Sequence, residues 1–219
     1  MIEHPSYLPE QILIKKEHYA IGILWLFQIS AIVGIILGFQ DWFIEKTPLN
    51  LIIQLALLVW VFPIKNAKQT FLLMLLFALG MTAEIVGVAT GFPFGEYAYG
   101  TNLGFKFMEV PLLIGCNWAV LVFCGAAIAN RLFSNIWIKS FFGGALMVLL
   151  DIPMEIVAPA FDFWEFVRHA PIENYFSWFF IGAVMHFLFH TLHLKGNFSF
   201  SIHLYLAQFV FFAALVFLL

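Results

Sequence analysis

The sequence predicts an all-α protein, a polytopic transmembrane helical bundle of about seven spans. Three observations predict it. Of 219 residues, 63% are hydrophobic and 11% charged, against roughly 45–50% and about 25% in a soluble domain. The mean hydropathy is +0.97. The apolar residues fall into seven runs, most of them near the ~20 residues that a bilayer crossing needs. This composition excludes a soluble globular enzyme, a disordered chain and a nucleic-acid binder. No internal repeat, low-complexity tract or long linker divides the chain. It therefore reads as a polar cytoplasmic segment, residues 1–18, followed by a single transmembrane domain, residues 19–219.

The first run, Tyr19 to Phe39, follows a polar stretch carrying Glu3, Glu10, Lys15, Lys16 and Glu17. It is long enough to span, so the start reads as a membrane helix and not as a cleavable signal peptide. The second run, Leu49 to Pro63, is short. The third is Thr70 to Thr90 and the fourth Pro111 to Leu132. The fourth holds both cysteines, Cys116 and Cys124. Eight residues of helix set them about 12 Å apart, too far for a disulfide, so they read as packing residues. The fifth run is Ile138 to Val157, the sixth Tyr175 to His193 and the seventh Ile202 to Leu219. The 28 Phe, 7 Trp and 6 Tyr are mostly lipid-facing on this reading, and they also suit a pocket for a long apolar ligand.

Loop charges predict the orientation. With seven spans, Lys15, Lys16, Lys65, Lys68, Arg131, Lys139 and Lys195 fall on one side, and Lys46, Lys106 and Arg168 on the other. The richer side is expected to be cytoplasmic, with the N-terminus there and the C-terminus outside. This is a multi-pass placement in the cell membrane. The net charge of −3 and pI of 6.1 predict no basic surface for anionic partners. The two longest loops, Gly91 to Glu109 and Ala158 to Asn174, both lie on the outer side, rich in Gly, Tyr and Trp. Such loops either carry specificity or rest in the headgroup layer.

Acids inside apolar runs are the main chemical signal. Glu84 sits in the third run, about two turns before Gly91. Asp151 and Glu155 sit four apart in the fifth, on one helical face, with Pro153 between them. Glu109 begins the fourth. All four are expected near the outer end. An ionised acid at mid-membrane costs about 2.5–3.5 kcal/mol on insertion scales, so such groups either bond neighbouring helices or do chemistry. A single acid reads as interhelical glue, here with Asn117, Thr82 or Tyr97. Several at one depth read as an acid/base site.

His186, His190 and His193 follow one another on the sixth run. HxxxH spacing can ligate a metal. Here the histidines lie toward the cytoplasmic end, away from the acids, and the chain has seven histidines in all, so they read as structural and no metal is expected. The sequence holds no GxSxG, Walker A, paired CxxC or DDxxD motif. The last absence argues against a prenyltransferase.

Three segments, occurring in order between about residues 80 and 185, resemble the membrane carotenoid biosynthesis proteins, specifically CruF-type carotenoid 1,2-hydratases. They are Phe94-Gly-Glu-Tyr97-Ala-Tyr99 with Leu103-Gly-Phe-Lys106 and Val110 through Asn117-Trp118; Asp151 through Glu155 and on to Trp164; and Pro171-Ile-Glu-Asn174 through Trp178. Many members carry Asp-Pro where this chain has Glu155-Ile156, so the carboxylate is kept with one more methylene of reach.

The resemblance implies hydration of the terminal C1=C2 double bond of an acyclic ψ end group, without a cofactor. A proton adds at C2, a tertiary cation forms at C1, and water adds there. Asp151 or Glu155 is the expected proton donor, with Glu84 as the partner that holds water. Tyr97, Tyr99, Glu109, Asn117, Trp118, Trp164, Asn174 and Trp178 are the expected substrate-binding residues. The expected partners are a carotenoid, water and membrane lipid, with no nucleic acid; the oligomeric state is not read from the sequence. Three other functions fit the same acids and rings. One is a membrane lycopene cyclase that uses the same protonation step. Another is a non-catalytic carotenoid- or lipid-binding protein. The third is a proton-coupled transporter, against which the acids gather at one end and do not cross the bilayer.

Overall fold

The computed structural model describes residues 8–62, 64 and 66–218, with side chains from Lys16 onward. Residues 1–7, Pro63, Lys65 and Leu219 lie outside the described residues, so much of the N-terminal segment and one loop lysine of the orientation argument do too. The helices are α1 (Leu8–Ile36), a short α2 (Gln40–Ile44), α3 (Thr47–Val61), α4 (Ala67–Thr90), α5 (Leu112–Leu132), α6 (Ile136–Val157), α7 (Ile172–Thr191) and α8 (Phe198–Val216). The protein is a membrane helical bundle. Five of these helices are long and apolar enough to cross a bilayer: α1 from Lys16, α4, α5, α6 and α8. The 15-residue α3 is short for a span, and α7 carries Glu173, Asn174, His186 and His190 among its apolar residues.

Helix starts follow local chemistry. Asn66, Asn135 and Asn197 cap α4, α6 and α8 by accepting backbone N–H groups of the first turn, which would otherwise lack partners. Gly91 closes α4 in the left-handed region, with φ 74°, where glycine carries no steric penalty.

Helix α5 is the axis of the bundle and packs against α3, α4, α6, α7 and α8. Apolar helices gain little from leaving lipid, so close packing must hold them together. The tightest pairing, α6 with α7, depends on small residues. A Cβ on Gly144 would lie 2.5 Å from the Phe179 carbonyl oxygen.

The two long loops are not purely irregular. Strand β1 (Tyr97–Tyr99) pairs antiparallel with β4 (Trp164–Phe166) in the register Tyr97↔Phe166, Ala98↔Glu165, Tyr99↔Trp164. Alternation along the strands turns Tyr97, Trp164 and Phe166 inward, all buried, and leaves Ala98 and Glu165 exposed. A second ribbon, β2 (Lys106–Phe107) with β3 (Val110–Pro111), turns through Met108 and Glu109, both at positive φ. The loops are latched as well. Asp162 accepts from the Thr101 hydroxyl at 2.6 Å and the Thr101 backbone N–H at 2.7 Å, and Asn102 donates to the Phe161 carbonyl at 2.9 Å. Together the loops form a cover over the end of the bundle where α4 and α6 finish and α5 and α7 begin.

Candidate active site

Beneath this cover lies a small cavity bounded by α4, α5, α6 and α7. Glu84, 3% exposed, is its best-bonded side chain. One carboxyl oxygen accepts from the Tyr97 hydroxyl at 2.6 Å and the Tyr99 hydroxyl at 2.7 Å. The other accepts from Trp118 Nε1 at 2.8 Å. Three donors converge on one carboxyl group that makes no donation of its own, the pattern of an acceptor-only carboxylate. Two glycines on the same face of α4 leave room for these donors. A Cβ on Gly80 would lie 2.7 Å from Trp118 Cβ, and one on Gly87 would lie 2.7 Å from the Tyr97 hydroxyl.

Across the cavity, Asp151 and Glu155 stand one turn apart on α6. Asn174 Nδ2 donates to both, at 2.9 Å to Asp151 and 3.1 Å to Glu155. Trp164 Nε1 donates to the second oxygen of Glu155 at 3.0 Å. Glu155 lines the cavity. Asp151 is fully buried behind it, and its Oδ1 has no hydrogen-bond partner among the described residues. The loop phenols Tyr97 and Tyr99 are held above the ordinary tyrosine range, first by burial and then by the nearby charge of Glu84, so both remain O–H donors.

Rings complete the wall. Trp118 and Trp178 stack at 4.3 Å, Tyr97 lies 5.1 Å from Phe166, and Tyr99 sits edge-on to Trp164 at 6.1 Å. The cavity measures about 20 Å³, room for roughly one water. On the outer side of the β1–β4 ribbon lies an open groove of about 770 Å³, which shares Tyr97, Tyr99, Trp164 and Phe166 with the cavity wall.

Of the residues singled out in the sequence, Glu84, Tyr97, Tyr99, Asn117, Trp118, Glu155, Trp164, Asn174 and Trp178 line this cavity, with Asp151 behind it. Glu109 does not join them. The sequence places it at the start of the fourth span with the other acids, whereas the structure puts it in the exposed β2–β3 turn, because α5 begins three residues later. Phe94, Ile114, Met154 and Phe166 also line the cavity and were not among the expected site residues; the first three fall inside the segments that carry the resemblance, but as single apolar side chains they give no sign of a site. Nor was the support of Asn117 expected. Gln208 Nε2 donates to Asn117 at 2.9 Å and to Gln54 at 2.6 Å. Gln54 donates to Asn50, and Asn50 to Gln28 at 2.8 Å. Lone amides in otherwise apolar runs were the available signal.

The histidines lie far from this cluster. From Asn174 to His190 is about 24 Å along α7. His186 Nδ1 lies 2.7 Å from the Gly182 carbonyl oxygen. Among the described residues, no three His, Cys, Asp or Glu side chains are grouped to hold a metal.

The carotenoid biosynthesis protein family matches residues 47–219, from α3 to the end of the chain and so across the entire site. The chain belongs to this family. The chain is also similar to the bisanhydrobacterioruberin hydratase of Haloarcula japonica, 28% identical over 155 residues. That alignment covers 63% of this chain and 50% of the relative, so the chain spans about half the length of the curated relative it matches. No solved structure matches the chain.

Proposed function

We propose that this family member hydrates the terminal C1=C2 double bond of an acyclic carotenoid end group. The observation that carries the reading is the cavity itself: room for one water between two opposed carboxyl groups, Glu84 and Glu155, inside a wall of aromatic rings. The similarity to a protein named as a hydratase supports it.

The residues can divide the work as follows. Glu155, which faces the cavity, gives a proton to C2 of the alkene, leaving a tertiary cation at C1. Asp151 shares Asn174 with Glu155 and lies directly behind it, where it can replenish that proton. The rings of Trp118, Trp178 and Trp164, which line the cavity, can stabilise the cation, each by about 0.5–2 kcal/mol. Water adds at C1. Both oxygens of Glu84 are already engaged, so the water does not reach Glu84 directly. It releases its proton to a tyrosine oxygen while that tyrosine passes its own proton to Glu84. Return of the proton from Glu84 to the Asp151–Glu155 pair, to Asp151 once Asp151 has reprotonated Glu155, restores the starting state, and alkene plus water has become a tertiary alcohol. The step requires a donor, a base and one positioned water. The end group is larger than the cavity, so it enters by displacement of the loop cover, and the open groove beyond the ribbon is the adjoining space.

Expression in a host that makes lycopene or γ-carotene, followed by pigment mass spectrometry, tests the reading. A product heavier by one water is expected. A product of unchanged mass but altered absorption would indicate cyclisation, and unaltered pigment would indicate binding without turnover.

A further inference from the structure

The opposite end of the bundle holds a second pocket. The α5–α6 turn and the α7–α8 connection flank an open groove of about 550 Å³. Arg131, Lys139, Lys195, His190 and His193 line it, and no acid does. Three of the ten Lys and Arg residues of a chain with net charge −3 therefore share one pocket. The expectation that no basic surface would await an anion fails here, because net charge conceals local clustering. The single ion pair among the described residues, Lys46 with Glu45, is elsewhere, so none of the three cations is neutralised by a described acid. Glu17 approaches this end through Asn197 Nδ2, at 2.8 Å, but does not line the pocket.

Two further features separate this pocket from basic loops that only set topology. His190 is 7% exposed, and neither ring nitrogen has a hydrogen-bond partner among the described residues. Asn135 and Asn197 already cap α6 and α8, so side chains and not open helix ends supply the positive charge. Leu132, Trp137 and Ile138 are exposed close by, and Trp137 stacks on Phe187 at 4.9 Å. An exposed tryptophan at a helix end is the residue favoured in the headgroup layer, and basic pockets between membrane helices suit anionic headgroups.

We propose that this pocket binds a phosphate-bearing anion, at the depth where the headgroup phosphate of an anionic lipid lies. Native mass spectrometry of the detergent-purified protein tests this, with phosphatidylglycerol, phosphatidylcholine and inorganic phosphate as probes. Preferential retention of phosphatidylglycerol, reduced about tenfold or more in R131Q/K139Q and unchanged in K46Q, supports a lipid site. Retention or thermal stabilisation by inorganic phosphate alone, lost in the same variant, supports the same site with a free anion as its ligand. Should R131Q/K139Q not fold, K195Q in the connecting loop serves instead, with a smaller loss expected. Equal retention of the two lipids without any phosphate effect, or phosphatidylglycerol retention unaffected by these substitutions, overturns the proposal.

Discussion

Replacing Glu84 in two different ways separates a catalytic carboxylate from a structural one. In Glu84→Leu, the Tyr99 hydroxyl and the Trp118 indole N–H lose their carboxylate acceptor, and the Tyr97 hydroxyl, which loses its 2.6 Å bond to the carboxylate, keeps the Glu84 backbone carbonyl at 3.3 Å. A buried donor left without a partner costs about 1–3 kcal/mol, so the two orphaned donors together cost roughly 2–6 kcal/mol. That is much of the stability of a typical domain, about 5–15 kcal/mol. Little folded Glu84→Leu protein is therefore expected on size-exclusion chromatography in detergent. Glu84→Gln behaves differently. The indole is a donor only, so the amide must turn its oxygen to Trp118 and its NH₂ to the tyrosines, whose hydroxyl oxygens can accept. The fold survives at a cost of about 1–3 kcal/mol, read as a lowered Tm. The amide cannot take up a proton, so pigment conversion should fall about 10²-fold or more, the usual scale for a positioned acid or base. Both are measured on one preparation, Tm for the fold and chromatography of extracted pigment for turnover. A folded Glu84→Gln protein converting pigment at near wild-type rates would refute the reasoning and leave Glu84 as an anchor for the loop cover.

On the α6 side, Asp151→Asn and Glu155→Gln should each lower conversion by about 10²-fold at near-normal protein yield, while the exposed Glu165→Gln and Glu173→Gln should convert pigment normally; loss in the controls alone would place the chemistry elsewhere. Gln208→Leu removes the donor to Asn117 and should lower stability by about 1–3 kcal/mol, seen as a drop in Tm. The Thr101 hydroxyl and backbone N–H hold the Asp162 carboxyl below its usual range. A lowered native value means that the latch contributes in full above the unfolded value and is lost as pH falls through the native one. Proteolysis at the loop cover should therefore increase under acid conditions, and Asp162→Asn should make it less dependent on pH. Cysteines placed at Phe105 and at Lys195, in a Cys116→Ser background, should be labelled from outside and from the cytoplasm respectively; labelling of both from one side would contradict the orientation expected from the loop charges.

The helices were legible because apolar runs of spanning length leave few alternatives, and the acids stood out because each interrupts such a run. The four-residue spacing of Asp151 and Glu155 already places them on one face. The rings and amides above them were reached differently. Tyr97, Tyr99, Asn174 and Trp178 look unremarkable by periodicity and were singled out by motif resemblance. The pairing that places them was not visible at all. A three-residue strand such as Tyr97–Tyr99 has too little pattern to distinguish it from a loop, and its partner, Trp164–Phe166, lies across two helices of sequence. Glu109 differs from its expected place for a related reason: in sequence, a two-residue turn at positive φ followed by a short strand looks the same as the first turn of a helix. Gly80 and Gly87 matter only because of what packs against them, and that is a tertiary fact.

The source of the added oxygen tests the central claim most directly. Membranes containing the protein can be supplied with an acyclic carotenoid in water enriched in ¹⁸O, and the extracted pigment examined by mass spectrometry. Hydration by a water held between Glu155 and Glu84 predicts a product carrying one ¹⁸O as a tertiary alcohol, formed under air or nitrogen alike and about 10²-fold less in Glu155→Gln. A product without ¹⁸O, or an isomer of the starting pigment with no added oxygen, would contradict it.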